Sequence, residues 1–230
     1  GSLLWTDGAG EARVYLPVPS GSGGGLNKKN VLLSAIHKIE NKPAEQNGYF
    51  YAADCEANVV RRVSPTGHSE IIAGTGIAGF SGDGGLATQA QLNCPKSVSL
   101  TQKGELLISD ELNFRIRKIS KAGVISTIAG NGQPEEGTDG AYATQTGIGR
   151  PKYVSQDRLG SSHFIIGNKI KRVDPRGKLR TLVASYGAVY QVSLNRPSEI
   201  SYDEDDNLII VDTGNHRVIK VFQQTGDVQV

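Results

Sequence analysis

Methionine is absent from all 230 residues, tryptophan occurs once and cysteine only twice. The missing initiator, with an opening Gly1-Ser2 that reads as the remnant of a cleaved tag, leads us to expect a piece of a longer chain. A leader, an anchor or a partner domain would then lie elsewhere. No apolar run approaches the roughly 18–20 residues needed to cross a bilayer as a helix, so no membrane span is expected in this stretch. Charge of one sign is lacking too: 25 Lys and Arg against 23 Asp and Glu leave +2, too little for bulk attraction to nucleic acid or an anionic membrane. Helical periodicity is not sustained over any useful length. What is plentiful is glycine, at 29, which with 9 prolines points to many turns.

Repetition organises what remains. The runs LLWTD (3–7), YFYAAD (49–54), ELLISD (105–110) and LIIVD (208–212) each end in aspartate, and HFIIG (163–167) takes the same place with glycine. Their last positions are 47, 56, 57 and 45 residues apart. The two long intervals hold the glycine-rich segments AGTGIAGFSGDGGLATQAQLNCP (73–95) and AGNGQPEEGTDGAYATQTGIGRP (129–151). Within a unit the grammar is constant: PKSVSLTQ, GELLISD, FRIRKIS and GVISTIAG are four short runs with strand-like alternation or β-branched enrichment, separated by turn residues. Four antiparallel strands repeating every 40 to 50 residues or so imply an all-β fold, a β-propeller. We expect four complete blades at about 34–75, 95–130, 151–185 and 197–230, after a partial N-terminal blade at 3–33.

The phrases SDELNFRIRKIS and VDTGNHRVIKV, with the glycine-rich segment at 73–95, resemble the NHL repeat family over nearly the whole chain. Asp110, Asn113 and Arg115, and again Asp212, Asn215 and Arg217, match its D-x-x-N-x-R phrase. Asp54 with Asn58 matches with one extra residue, and Gly167-Asn168-Lys169 has lost the aspartate and shortened the turn. Such triads recur from blade to blade, so they are expected to brace a turn rather than form a unique site. The resemblance implies a ring that usually closes with six blades. It also implies three roles: a protein-interaction scaffold, a lyase or lactonase with a metal in the axial channel, or an RNA-binding basic face.

The long segments link one blade's outer strand to the next blade's inner strand, and are expected to fold as compact loops held by turns at 82–85 and 138–140. They supply the candidate interaction residues: Phe80, Asp83, Gln89, Glu135, Glu136, Asp139 and Tyr142. The glycine-rich stretch 20–30 is a further distinctive surface feature. One carboxylate at Asp83 falls far short of the six to eight oxygens calcium takes.

Cations concentrate on the third strands, at Arg61, Arg62, Arg115, Arg117, Lys118, Lys169, Lys171, Arg172, Arg217 and Lys220. No aromatic platform is interleaved with them, so solvated strand surface is preferred to nucleic-acid binding. Of the four histidines only His37 and His163 fall in expected strands, isolated from each other, and no nucleophile elbow, phosphate loop or zinc-spaced cysteine pair appears. Neither catalytic nor metal-ligating residues, nor a cofactor, are assigned. The reading is a non-catalytic scaffold that presents inter-blade loops to a protein partner.

Cys55 follows the aspartate at a second-to-third-strand turn and Cys94 precedes the proline where a link enters the next blade. Both connections emerge on one face, so the two cysteines either bridge or remain two free thiols, the latter needing no further assumption because adjacent blades diverge outward. A bridge would place the chain in an extracellular or secretory compartment; free thiols leave the compartment open.

Overall fold

A computed structural model describes residues 3–6, 12–15, 35–37, 49–64 and 68–230. Alternating apolar runs pair locally into four antiparallel sheets, and no α-helix occurs among the described residues. The first blade is β3 (Ala35–His37), β4 (Phe50–Asp54), β5 (Val59–Val63) and β6 (Ser69–Ala73), following a two-stranded sheet of β1 (Leu3–Thr6) and β2 (Ala12–Tyr15). The second is β7 (Pro95–Leu100), β8 (Leu106–Asp110), β9 (Arg115–Ile119) and β10 (Ile125–Ala129). The third, β11 (Val154–Gln156), β12 (Ser162–Ile166), β13 (Lys169–Val173) and β14 (Leu179–Ala184), gains a parallel fifth strand, β15 (Tyr190–Gln191). The fourth is β16 (Glu199–Tyr202), β17 (Leu208–Asp212), β18 (Arg217–Val221) and β19 (Val228–Gln229). These are propeller blades. The rest of the expected partial blade and the stretch 20–30 lie outside the described residues.

Each blade is a meander, so links and second-to-third-strand turns share one end of the molecule, here called the upper face. First-to-second and third-to-fourth turns occupy the lower face. The core is divided between blades. Val60 and Ala73 of the first blade pack on Val98, Ile108, Ile119 and Ile125 of the second. Leu107, Ile116 and Ala129 of the second meet Val154, Phe164 and Val173 of the third. Ile165, Ile170 and Val183 of the third meet Ile200, Ile210 and Ile219 of the fourth. Strand alternation explains this: odd and even positions of every strand face opposite neighbours, and both sides must be apolar. Burying one such side chain contributes about 1.5–3 kcal/mol. Around the axis the inner strands are also tied together, the Val154 N–H donating to Ser97 Oγ at 3.0 Å.

Candidate functional site

The upper face is assembled from repeated turns. Strand register pairs Asp54 with Val59, Asp110 with Arg115 and Asp212 with Arg217, leaving four residues in each turn. The Asp54 turn therefore carries no extra residue. Asn58 takes the left-handed position held by Phe114 and His216, at φ 55°, 54° and 52°; asparagine tolerates that conformation better than most side chains. In the third blade Ile166 pairs with Lys169, so Ile166, not Gly167, stands where the others have aspartate. Gly167-Asn168 closes a two-residue hairpin, with Gly167 at φ 53°.

The recurring aspartate binds two segments at once. The Asn93 N–H donates to Asp110 Oδ1 at 2.8 Å and the Asn113 amide to Oδ2 at 2.8 Å. Asp212 accepts from the Asn195 N–H at 2.7 Å, from Asn215 at 2.8 Å and from Arg217 Nε at 2.8 Å. In both blades the carboxylate ties the incoming link to the turn. Arg115 differs from Arg217: its guanidinium donates to the Asn113 and Asn131 carbonyls, and Asp110 is met instead by Arg117, at 3.3 Å. Burial pushes the Asp110 carboxyl up to about 6, against the lowering pull of its donors Asn113, Asn93 and Arg117.

The long links are more than surface loops. Residues 84–87 form an added edge segment on the outer strand of the following blade, with Gly84 N–H donating to Ile125 O, Ile125 N–H to Gly85 O and Ala87 N–H to Gly123 O. The second link repeats this on β14: Gly140 N–H donates to Leu179 O, Leu179 N–H to Ala141 O and Ala143 N–H to Gly177 O. An exposed strand edge invites pairing with other chains, and these links cover it. Each link also aims its turn aspartate at a cation of the covered blade. Asp83 Oδ1 lies 2.7 Å from Arg117 and Asp139 Oδ1 3.5 Å from Lys171. These cations occupy equivalent positions, and both are buried, Arg117 at 0% exposure. The expectation of solvated third-strand charges is corrected at these two positions, where the links roof the cations over; Arg61, Arg62, Lys118, Lys169, Arg217 and Lys220 keep part of their surface exposed. In the fourth blade, which lacks a long link, the same position is the buried Ile219.

The other candidate residues divide. Glu136 reaches Lys169 at 3.0 Å and Lys171 at 3.5 Å. Phe80 lies under Arg115, 3.6 Å from guanidinium carbon to ring centroid, with Arg117 at 4.8 Å. Gln89 and Glu135 face solvent. Tyr142 carries Lys178 at 3.5 Å above its ring and keeps 49% of its surface exposed; Leu86, at the same place in the first link, keeps 50%. Leu86 was missed in the sequence, although the repeat GDGGLATQ against TDGAYATQ aligns it with Tyr142.

Cys55 and Cys94 are joined, with sulfurs 1.96 Å apart and Cα atoms 3.8 Å apart. The Cys94 N–H donates to Asn58 Oδ1 at 2.9 Å, so the bridge clamps a first-blade turn to the link entering the second.

No group of three or more His, Cys, Asp or Glu side chains placed to hold a metal ion occurs among the described residues. His163 is fully buried between the third and fourth blades, edge-on to Tyr202 at 5.5 Å between centroids, with its Nδ1 hydrogen-bonded to the tyrosine hydroxyl. Burial first, and Arg172 second, depress its pKa to about 3. It is a neutral packing group. The His37 side chain lies outside the described residues.

The NHL repeat pattern matches residues 194–221, the fourth blade from its entering link to its third strand. The fourth blade carries an NHL repeat, in a chain folded as a β-propeller. The propeller is 23% identical to human teneurin-4 over 206 residues, 75% of this chain and 7% of that protein. It is 32% identical to chicken teneurin-1 over 112 residues, 44% of this chain and 4% of that protein. The chain thus spans less than a tenth of either relative. Among solved structures, virginiamycin B lyase from Staphylococcus aureus superposes with a TM-score of 0.56 at 14% identity, covering 98% of this chain and 67% of the lyase. At that identity the likeness concerns the fold.

Proposed function

We propose that this propeller is a non-catalytic scaffold that binds a protein partner through its long links. The observation that carries the reading is the pair Leu86 and Tyr142. Both links commit their backbone and aspartates to internal bonds, yet at the same position each leaves a large apolar side chain about half exposed, and the first link exposes Ile77 and Phe80 besides. Paired anchors on a rigid frame suit recognition, since little side-chain freedom is lost on binding. The similarity to teneurin-4 over three quarters of the chain supports a kinship in sequence with a much longer protein, whereas the likeness to the lyase is one of fold alone. The Cys55–Cys94 bridge supports an oxidising, extracellular or secretory setting.

The enzyme reading rests on the shared fold with a lyase, and one fold hosts many functions. The buried, neutral His163 offers no accessible acid or ligand. The nucleic-acid reading finds third-strand cations largely occupied by carboxylates.

The test compares partner capture by the wild-type chain and a Leu86→Lys/Tyr142→Lys variant of equal thermal stability. A partner lost only from the variant is expected; one retained equally by both would sink the assignment to these links. Lyase and lactonase assays with calcium and zinc are expected to show no turnover that follows the protein through purification. Turnover abolished by His37→Ala or His163→Ala would decide for the enzyme.

A further inference from the structure

At the axial end of the upper face, a proline opens or shortly precedes the inner strand of the second, third and fourth blades: Cys94-Pro95-Lys96, Arg150-Pro151-Lys152 and Arg196-Pro197-Ser198. Arg150 and Arg196 hold equivalent positions on neighbouring blades, and Lys152 follows one of them by two residues. All three are exposed. The third-strand cations Arg61, Arg62, Arg117, Lys118, Lys169, Lys171, Arg217 and Lys220 each meet a carboxylate. Arg150, Lys152 and Arg196 have no ion pair among the described residues. Lys96, at the next strand start, has Glu111 at 4.0 Å. Of the other upper-face acids, Glu136, Asp54 and Asp212 are engaged with third-strand cations, while the exposed Glu199, three residues after Arg196, has no ion pair among the described residues and leaves three cations facing one carboxylate.

The backbones bearing these charges are held. The Arg196 N–H donates to Asn168 Oδ1 at 2.9 Å with Arg196 at φ 46°, and the Arg150 guanidinium lies 5.9 Å from the Phe114 ring centroid. Pro151 and Pro197 are buried and fix the chain direction immediately after each arginine. Rigid carriers lower the ordering cost of binding, and uncompensated charges around one opening steer an oppositely charged ligand.

We infer that the axial mouth formed by Arg150, Lys152 and Arg196 is a docking site for an acidic peptide segment of the protein partner. This rests on the scaffold reading and names the chemistry of its partner. A peptide is favoured over a nucleic acid because Phe114 is the one aromatic ring these cations meet among the described residues, too few to stack successive bases.

The probe is a fluorescein-labelled glutamate decapeptide, titrated by anisotropy at low and physiological salt against the full chain, beside a glutamine decapeptide and a uridine oligonucleotide of equal length. Saturable binding of the glutamate peptide alone is expected, weakening with salt and at least tenfold in Arg150→Gln/Lys152→Gln/Arg196→Gln. The control Lys103→Gln/Lys121→Gln/Arg180→Gln removes the same charge from lower-face turns and the outer strand, and is expected to keep the affinity. Equal weakening in both variants would reduce the effect to net charge and overturn the inference. So would tighter binding of the oligonucleotide, or no binding. If the peptide fails while partner capture still depends on Leu86 and Tyr142, the scaffold reading survives without this mouth.

Discussion

Arg117 shows how one side chain joins three segments. It is fully buried, contacts Asp110 on its own blade, Asp83 and the Ser81 carbonyl on the link, and lies beside Phe80. Truncating one partner of a buried pair leaves the other charge uncompensated, so Arg117→Ala is expected to lose about 3–5 kcal/mol in urea unfolding at pH 7. A loss below about 1 kcal/mol would show that Asp110 is held by its amide donors alone. His163 makes the second residue-scale prediction. Its folded pKa of about 3 lies below the ordinary 6.5, so the unfolded chain takes up a proton that the folded chain refuses. Its contribution is whole above about pH 6.5 and is lost as pH falls towards 3. Thermal unfolding between pH 7 and 4 is expected to show a shallower acid loss in His163→Gln than in wild type; parallel curves would sink the assignment.

Among elements, the links do more than connect. Each one leaves an outer strand, caps the next blade's outer edge, crosses that blade and enters its inner strand, so two blades are fastened by one segment. Glycine is required at the departure point: at Gly130, φ 87°, a Cβ would stand 2.0 Å from the Phe114 carbonyl oxygen, and at Gly74, φ 91°, 2.3 Å from that of Asn58. The bridge Cys55–Cys94 adds a covalent tie to the first link only. It closes a span of 39 residues. On the chain-entropy account its removal in Cys55→Ala/Cys94→Ala is expected to cost about 3–4 kcal/mol, measured by chemical denaturation. A variant as stable as the unreduced wild type would show that the hydrogen bonds of the link already hold the first two blades together.

For the molecule as a whole, stability resides between blades. Ile116 and Ile170 lie at equivalent positions on the second and third blades and are fully buried under the blade that follows; Val218, their counterpart on the fourth, is 55% exposed. Cavity cost scales with how well a site is enclosed. Ile170→Ala is therefore expected to lose about 2–4 kcal/mol and Val218→Ala under about 1 kcal/mol. Equal losses in denaturant titrations would mean that the fourth blade's outer side is covered in solution. The same stacking gives the four blades three apolar interfaces without an α-helix among the described residues.

Four-strand grammar, turn residues and the NHL phrase were local, so the sequence alone determined the blades, their order and the upper-face turns anchored by Asp110 and Asp212. Hydrophobic alternation needs only the residues of one strand to declare itself. What a link does depends on a partner 34 or 32 residues away. The meeting of Asp83 with Arg117 and Asp139 with Lys171, the burial of cations that read as solvated, and the shift from Gly167 to Ile166 were decided by tertiary structure. So was the choice between a bridge and two free thiols at Cys55 and Cys94. The reason is physical: a charge or a thiol looks the same in sequence whether water or a folded-back link surrounds it, and only the closure of one blade upon the next removes the water.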